Sequence, residues 1–92
     1  MAGAHSHDMA RARQLRHNDA YFTDENRQRL DARTLGENVA VGASSGEIHR
    51  ALMASEPHRA NVLDPRFTVI GIGAVQNERG WWVTQDFVQP RR

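Results

Sequence analysis

Hydrophobic residues alternate with small or polar ones near the C-terminus, and this pattern predicts a β-hairpin. The run 68–76 is nearly continuous in apolar residues and carries two glycines, which is typical of a central strand that another element approaches closely. The run 81–88 is rich in aromatic and β-branched residues and alternates with period two. Because the polar segment 77–80 between them predicts a turn, we expect the two runs to pair in antiparallel fashion.

Apolar residues recur at helical spacing in the first part of the chain. Met9, Ala12 and Leu15 share one face of a helix predicted over His5 to His17. The stretch that follows mixes charges with isolated aromatic residues. It predicts a loop with a short helix near Glu25 to Asp31.

The middle of the chain predicts two consecutive helices. Ser44 to Glu47 has the hydroxyl and carboxylate spacing of a capping box, so a helix should begin there and pack through Ile48 and Leu52. The segment Ser55-Glu56-Pro57 then restarts the chain, because serine caps helices and proline is tolerated in the first turn. A second, shorter helix is expected over His58 to Leu63.

Composition narrows the class of protein. The 92 residues fit one domain, 1–92, and the net charge of +1 is too balanced for a chain dedicated to nucleic acid. The absence of cysteine excludes disulfides and thiolate zinc sites. No apolar run is long enough for a membrane span, and none at the start has the pattern of a signal peptide.

Three ionisable residues are candidates for a common site. If folding gathers His17, Glu37 and His58, two imidazoles and one carboxylate could hold a divalent cation and leave one coordination position open. Structural roles are the alternatives: Glu37 could accept backbone amides at a turn formed by its neighbours, and His58 could bond a carbonyl at the start of its helix. Gln85 is a candidate to line the same cleft, where its side chain is able to bond an imidazole.

Several segments in a fixed order resemble the CAP superfamily, the SCP-like domain of cysteine-rich secretory, antigen 5 and pathogenesis-related proteins. The chain is most similar to its cysteine-free bacterial branch. The matching segments are His5 to Ala10, His17, Gly36 to Ala40, Ser55 to Leu63, Phe67 to Gly73 and Thr84 to Phe87. The resemblance implies an α+β fold, an α-β-α sandwich with a small antiparallel sheet. It also implies an extracellular or cell-envelope location, whereas a chain that truly starts at Met1 would be cytoplasmic.

The resemblance also implies a cleft that takes a divalent metal, lipids, sterols or other small ligands, with His17, Glu37 and His58 at the motif positions. The family's second acidic position falls at Ser55 here. The family's first helix is largely missing, so we expect an N-terminally truncated domain with an uncovered sheet face that favours self-association.

These observations favour a binding module, with zinc or another divalent cation as the expected cofactor and a small molecule, lipid or peptide as ligand. A metal-dependent hydrolase of peptide or cell-wall substrates is the first alternative. The chain, however, has neither a Gly-x-Ser-x-Gly nor an HExxH motif. A partner-docking domain with a degenerate cleft is the second.

Overall fold

The computed structural model describes all 92 residues as four α-helices, one 3₁₀ turn and three strands. In chain order they are α1 (Ala2–Ala12), the 3₁₀ turn (Asp19–Phe22), α2 (Asp24–Arg29), β1 (Ala32–Gly42), α3 (Ser45–Ala54), α4 (Glu56–Leu63), β2 (Val69–Asn77) and β3 (Gly80–Pro90). The expected α+β class is confirmed. None of the helices is both long enough and apolar enough to cross a membrane.

The three strands form one antiparallel sheet in the order β1-β3-β2. The predicted hairpin of β2 and β3 is confirmed, and its turn closes at the Asn77–Gly80 pair. Gly80 adopts a φ of 123°, a conformation that residues with a Cβ rarely reach. The prediction that the first run is the central strand is wrong, because β2 lies at the edge and β3 occupies the centre.

Strand β1 was not expected from the sequence, which suggested a turn around Glu37. It pairs with β3 from Ala32 to Gly42, and this register sets Glu37 opposite Asp86 and Asn38 opposite Gln85. Polar residues therefore occupy buried positions on both strands. They interrupt the apolar alternation from which a half-buried strand is normally inferred.

Helix α1 begins and ends earlier than predicted. Arg13 adopts the left-handed conformation with φ of 54°, and the amide of Gln14 donates to the carbonyl of Met9, which closes the last turn. Leu15 consequently lies outside the helix and is 47% exposed. The helix rests on the sheet at Gly73, where an added Cβ would collide with the main chain of Ala2.

The hydrophobic core lies between α1, α2 and one face of the sheet. Met9 and Ala10 pack against Val39 and Trp82 in one cluster. A second cluster consists of Tyr21, Ala32 and Leu35. Covering helices on this face thus bury Leu35, Glu37 and Val39 of β1.

The predicted helices on the other face are confirmed. Ser44 caps α3 by accepting the amide of Glu47, and Ile48 and Leu52 are buried beneath it. Coverage stops before β2, however, where Ile70 and Ile72 are 47% and 62% exposed. This agrees with the expected uncovered sheet face, while self-association stays a prediction.

Candidate functional site

A buried carboxylate in β1 is joined to a half-exposed imidazole. The side chain of Glu37 is fully buried, whereas that of His17 is 52% exposed. One oxygen of Glu37, Oε1, accepts the backbone amide of Asn18 at 2.8 Å and lies 3.1 Å from Nδ1 of His17. The loop after α1 therefore brings His17 and Glu37 together. The amide that Glu37 accepts belongs to that loop, not to a turn formed by its own neighbours.

A second carboxyl group faces Glu37 across the sheet. Asp86 is the cross-strand partner of Glu37 on β3 and is only 5% exposed. Burial raises the pKa of Asp86 to about 8, and the hydrogen bond and negative charge of Glu37 act in the same direction. Asp86 is thus protonated at neutral pH, and its proton is the donor in the contact with Glu37. No other group in the structure bonds to either oxygen of Asp86.

Sequence reasoning missed Asp86 as a site residue, although its segment was part of the family resemblance. The usable signal was the period-two alternation of β3, which places Asp86 on the same face as the buried Trp82 and Thr84. The alternation of β3 alone therefore predicts that this carboxyl group is buried.

Tyr21 closes this polar cluster from the 3₁₀ turn. Its phenol donates to the main-chain carbonyl of Phe87 at 2.7 Å, and the residue is 2% exposed. Burial, followed by the charges of Asp86 and Glu37, holds the pKa of Tyr21 well above its usual range. The phenol is therefore a fixed neutral donor and does not exchange protons near neutral pH.

The other predicted site residues belong to a separate network. Neighbouring residues of a strand point to opposite faces, so Asn38 lies on the face away from the Glu37 carboxylate. The amide nitrogen of Asn38 donates to the carbonyl of His58 at 3.0 Å and to Oε1 of Gln85 at 3.2 Å. Asn61 in turn donates to Oδ1 of Asn38 at 2.9 Å. This network attaches α4 to the sheet.

His58 and Gln85 make contacts that the sequence did not predict. Nδ1 of His58 lies 2.8 Å from the hydroxyl of Ser55, the residue at the position where the family resemblance led us to look for an acid. Gln85 bonds the amide of Asn38 rather than an imidazole. The ring of His58 shares no hydrogen bond with His17 or Glu37.

The positions of the His, Asp and Glu side chains limit the kind of metal site that the structure can form. No group of three or more His, Cys, Asp or Glu side chains is placed so that it could hold a metal ion. His17 and Glu37 alone offer two adjacent donor groups, one nitrogen and one oxygen. Two protein ligands fall short of the three found in catalytic zinc sites.

Comparisons with known proteins agree with the order of the motifs. The family described as "CAP: Cysteine-rich secretory protein family" matches residues 1–87. The "uncharacterized protein YkwD" of Bacillus subtilis (strain 168) is 46% identical over 60 residues, which is 64% of this chain and 23% of that protein. The matched segment is thus less than a quarter of that relative's length. No solved structure matches the chain.

Proposed function

We propose that this chain, which belongs to the cysteine-rich secretory protein (CAP) family, is a binding module. Its polar anchor is the pair formed by His17 and Glu37. The observation that carries the proposal is the contrast in exposure within that pair. A fully buried carboxylate fixes the position of an imidazole that is half exposed to solvent. A ligand can reach the imidazole without any rearrangement of the strand.

Binding is favoured over catalysis because the groups beside His17 are already occupied. Oε1 of Glu37 accepts both the loop amide and the imidazole, and its other oxygen faces Asp86. A hydrolytic mechanism needs a free base within hydrogen-bond reach of the attacking water. Glu37 serves instead to orient His17, a common role for a carboxylate behind a ligand-binding imidazole.

A divalent cation is part of the proposal at this anchor. Zn²⁺ accepts imidazole nitrogen, and His17 presents the ring nitrogen that does not contact Glu37. With His17 as the protein ligand and Glu37 holding its ring in place, the rest of the coordination sphere would belong to water or to the bound molecule. His58 is not included, because its ring bonds Ser55 within α4.

Isothermal titration with Zn²⁺ tests the anchor. We expect weak uptake that His17→Ala abolishes and that His58→Ala, a matched imidazole deletion, leaves within about twofold. Uptake should also fall between pH 7.5 and pH 5.5, since imidazole ligands must be neutral and their reference pKa is about 6.5. Absence of uptake by the wild type, or uptake that survives His17→Ala, would overturn this anchor. Equal losses in both variants would restore the three-residue set suggested by the sequence.

Hydrolysis is the second candidate, and one contact favours it. The 2.8 Å bond between Ser55 and His58 joins a hydroxyl to a possible base, as in nucleophilic catalysis. The imidazole of His58 has no carboxylate to orient it, which lowers its value as a base. Covalent labelling of Ser55 by a fluorophosphonate probe, lost in His58→Ala, would favour the hydrolase, and no labelling would exclude a serine mechanism.

A further inference from the structure

A polar hollow lies at the end of the sheet where β1 begins and β3 ends. Its volume is about 360 Å³, equal to about twelve water molecules, so it has room for an anion larger than a single phosphate group. Its walls contain no acidic residue. Apart from two prolines, every wall residue carries hydrogen-bond donors, and these residues are Arg33, Arg66, Thr68, Gln89, Arg91 and Arg92. Four guanidinium groups therefore surround one small space.

The position of Arg33 comes from a bulge in β1. Ala32 pairs with Pro90, and Thr34 pairs with the residue just before that proline. Arg33 is thus the extra residue between two paired positions, and its side chain is exposed. A bulge re-aims a side chain that strict alternation would direct elsewhere. Here it adds a cation to the end of the sheet that Arg91 also occupies.

Two of the other guanidinium groups are held in place with donors left over. Asp64 binds Arg66 through Nε and one terminal nitrogen, at 3.1 and 2.7 Å, and the second terminal nitrogen has no partner. Nε of Arg91 donates to the carbonyl of Ala32 at 3.2 Å, and neither of its terminal nitrogens has a hydrogen bond. Each of the two arginines directly follows a proline, which restricts the backbone beside it. Groups oriented in advance lose less entropy when a ligand binds.

The charges near the hollow leave an excess of positive charge. The aspartate that holds Arg66 compensates one guanidinium group, and Asp31 lies 3.9 Å from Nε of Arg91. Arg33 and Arg92 take part in no ion pair. Guanidinium groups held around one space repel each other, and an anion between them relieves that repulsion.

We propose that this hollow binds an anion with two linked phosphate groups, a diphosphate. The fork of a guanidinium group matches phosphate oxygens two at a time. Arg33 comes from β1, Arg66 from the loop before β2 and Arg91 from the end of β3, so that several forks can meet one ligand. The hydroxyl of Thr68 and the amide of Gln89 add neutral donors to the same walls.

This site goes beyond the anchor at His17 and does not rest on it. None of the residues that line the hollow contacts His17 or Glu37 through a hydrogen bond. His17→Ala should therefore abolish zinc uptake and leave diphosphate binding unchanged. Arg33→Gln should do the reverse, so failure of one proposal does not carry over to the other.

Calorimetric titration of the full chain with pyrophosphate, orthophosphate and acetate tests the site, at pH 7 and low ionic strength in metal-free buffer. Pyrophosphate should bind at a single site and about fivefold more tightly than orthophosphate, because it meets more guanidinium groups at once. Acetate, with one charge, should bind more weakly still. Added NaCl should lower the affinity for pyrophosphate, since exposed charges are screened. No binding of pyrophosphate, or equal affinity for all three anions, would overturn the proposal.

Two arginine variants and one control locate the binding. Arg33→Gln changes an exposed residue without an ion pair, so the fold should persist and pyrophosphate should bind about fivefold more weakly. Arg91→Gln should give a similar loss. Arg50→Gln removes the same charge from an exposed position on α3, outside the hollow, and should change the affinity less than about twofold. Equal losses in Arg33→Gln and Arg50→Gln would show attraction by net charge alone and would overturn the site.

A soluble molecule and a lipid headgroup are two sources of the same phosphate chemistry, and vesicles separate them. The probe is co-sedimentation with phosphatidylcholine vesicles that contain about 20% phosphatidic acid, with pure phosphatidylcholine as the blank. Co-sedimentation that Arg33→Gln removes would assign the site to a headgroup. Pyrophosphate binding without co-sedimentation would assign it to a soluble diphosphate. Co-sedimentation that survives in Arg33→Gln, with no pyrophosphate binding, would contradict the site.

Discussion

The two faces of the sheet differ in how far their polar and apolar side chains are exposed to solvent. Under α1 and α2, polar side chains are sealed from water, and the residues concerned are Ser6, Tyr21, Glu37, Thr84 and Asp86. Under α3 and α4, the polar network is smaller and centres on Asn38, while apolar residues of β2 remain in solvent. One face has buried polar groups and the other has exposed apolar ones, although both belong to the same three strands.

The sealed face is well satisfied except at one point. The hydroxyl of Ser6 donates to the carbonyl of Gly73 at 2.9 Å and lies 2.8 Å from that of Thr84. Tyr21 likewise has its partner on β3. Against this background the pairing of Asp86 with the single neighbour Glu37 is a local feature and not a sign of loose packing.

The largest effect should come from the closeness of α1 to the sheet. Gly73→Val would force a side chain into the main chain of Ala2 and should lower the free energy of unfolding by about 3 kcal/mol. Gly71→Val is the matched control, because its Cβ enters open space and should cost less than about 0.5 kcal/mol. Urea denaturation measures both. Equal losses would mean that α1 does not rest on Gly73.

Removal of Asn38 should loosen α4 from the other face. Asn38→Ala removes the donor to the carbonyl of His58 and leaves the amide of Asn61 only its longer bond to the carbonyl of Glu37 at 3.3 Å, and it should cost about 2–3 kcal/mol. His49→Ala on α3, an exposed position, serves as the control and should stay within about 0.5 kcal/mol. Denaturant midpoints measure the difference. A loss for Asn38→Ala as small as that of the control would show that this network does not hold α4.

Asp86 should make the sealed face sensitive to pH. Its pKa is near 3.8 in the unfolded chain and about 8 in the fold, so between these values the folded state binds the extra proton. Stability from this group is therefore greatest near pH 4 and falls as the pH rises towards 8. Asp86→Asn should flatten that slope and gain about 1–2 kcal/mol at pH 8, with little change at pH 4.

Unfolding curves at pH 4, 6 and 8 test this sign. Glu25→Gln, in the first turn of α2, is a control carboxyl change outside the cluster. A wild type that becomes more stable between pH 6 and pH 8, or a variant with the wild-type slope, would contradict a protonated Asp86. The wild-type slope also gives an independent estimate of how strongly burial acts on this group.

The sequence predicted those elements whose signals are local. The capping box at Ser44, the hairpin of β2 and β3, and the short helices before and after β1 were all confirmed, because turns, caps and apolar spacing act within a few residues. Strand β1 was missed because its buried positions hold Glu37 and Asn38, whose burial depends on partners far away in the chain. The position of β3 at the centre of the sheet likewise depends on tertiary pairing and not on local sequence.

The candidate site shows the same limit. The family resemblance pointed to His17 and Glu37, which the structure brings into contact, and to His58 and Gln85, which join a different network. Neighbouring strand residues point to opposite faces, so one register decides which side chains meet. Period two alone places Asp86 on the buried face of β3, but its pairing with Glu37 and the cover of α1 cannot be derived from spacing, so its protonated state was not predicted.

The smallest effect on stability is expected on the open face. Ile72 is 62% exposed, so Ile72→Thr keeps the β-branched shape and should change the free energy of unfolding by less than about 0.5 kcal/mol. Its effect on association should be larger, because the exposed apolar side chains of β2 are the expected contact between copies. Val41→Thr, on the opposite edge strand and 39% exposed, is the control. Sedimentation velocity over a concentration series should show the wild type and Val41→Thr associating, and Ile72→Thr shifted towards monomer. A wild type that remains monomeric throughout would mean that an exposed apolar strand is tolerated here without a partner, and the contrast between the two faces would then concern buried polar groups alone.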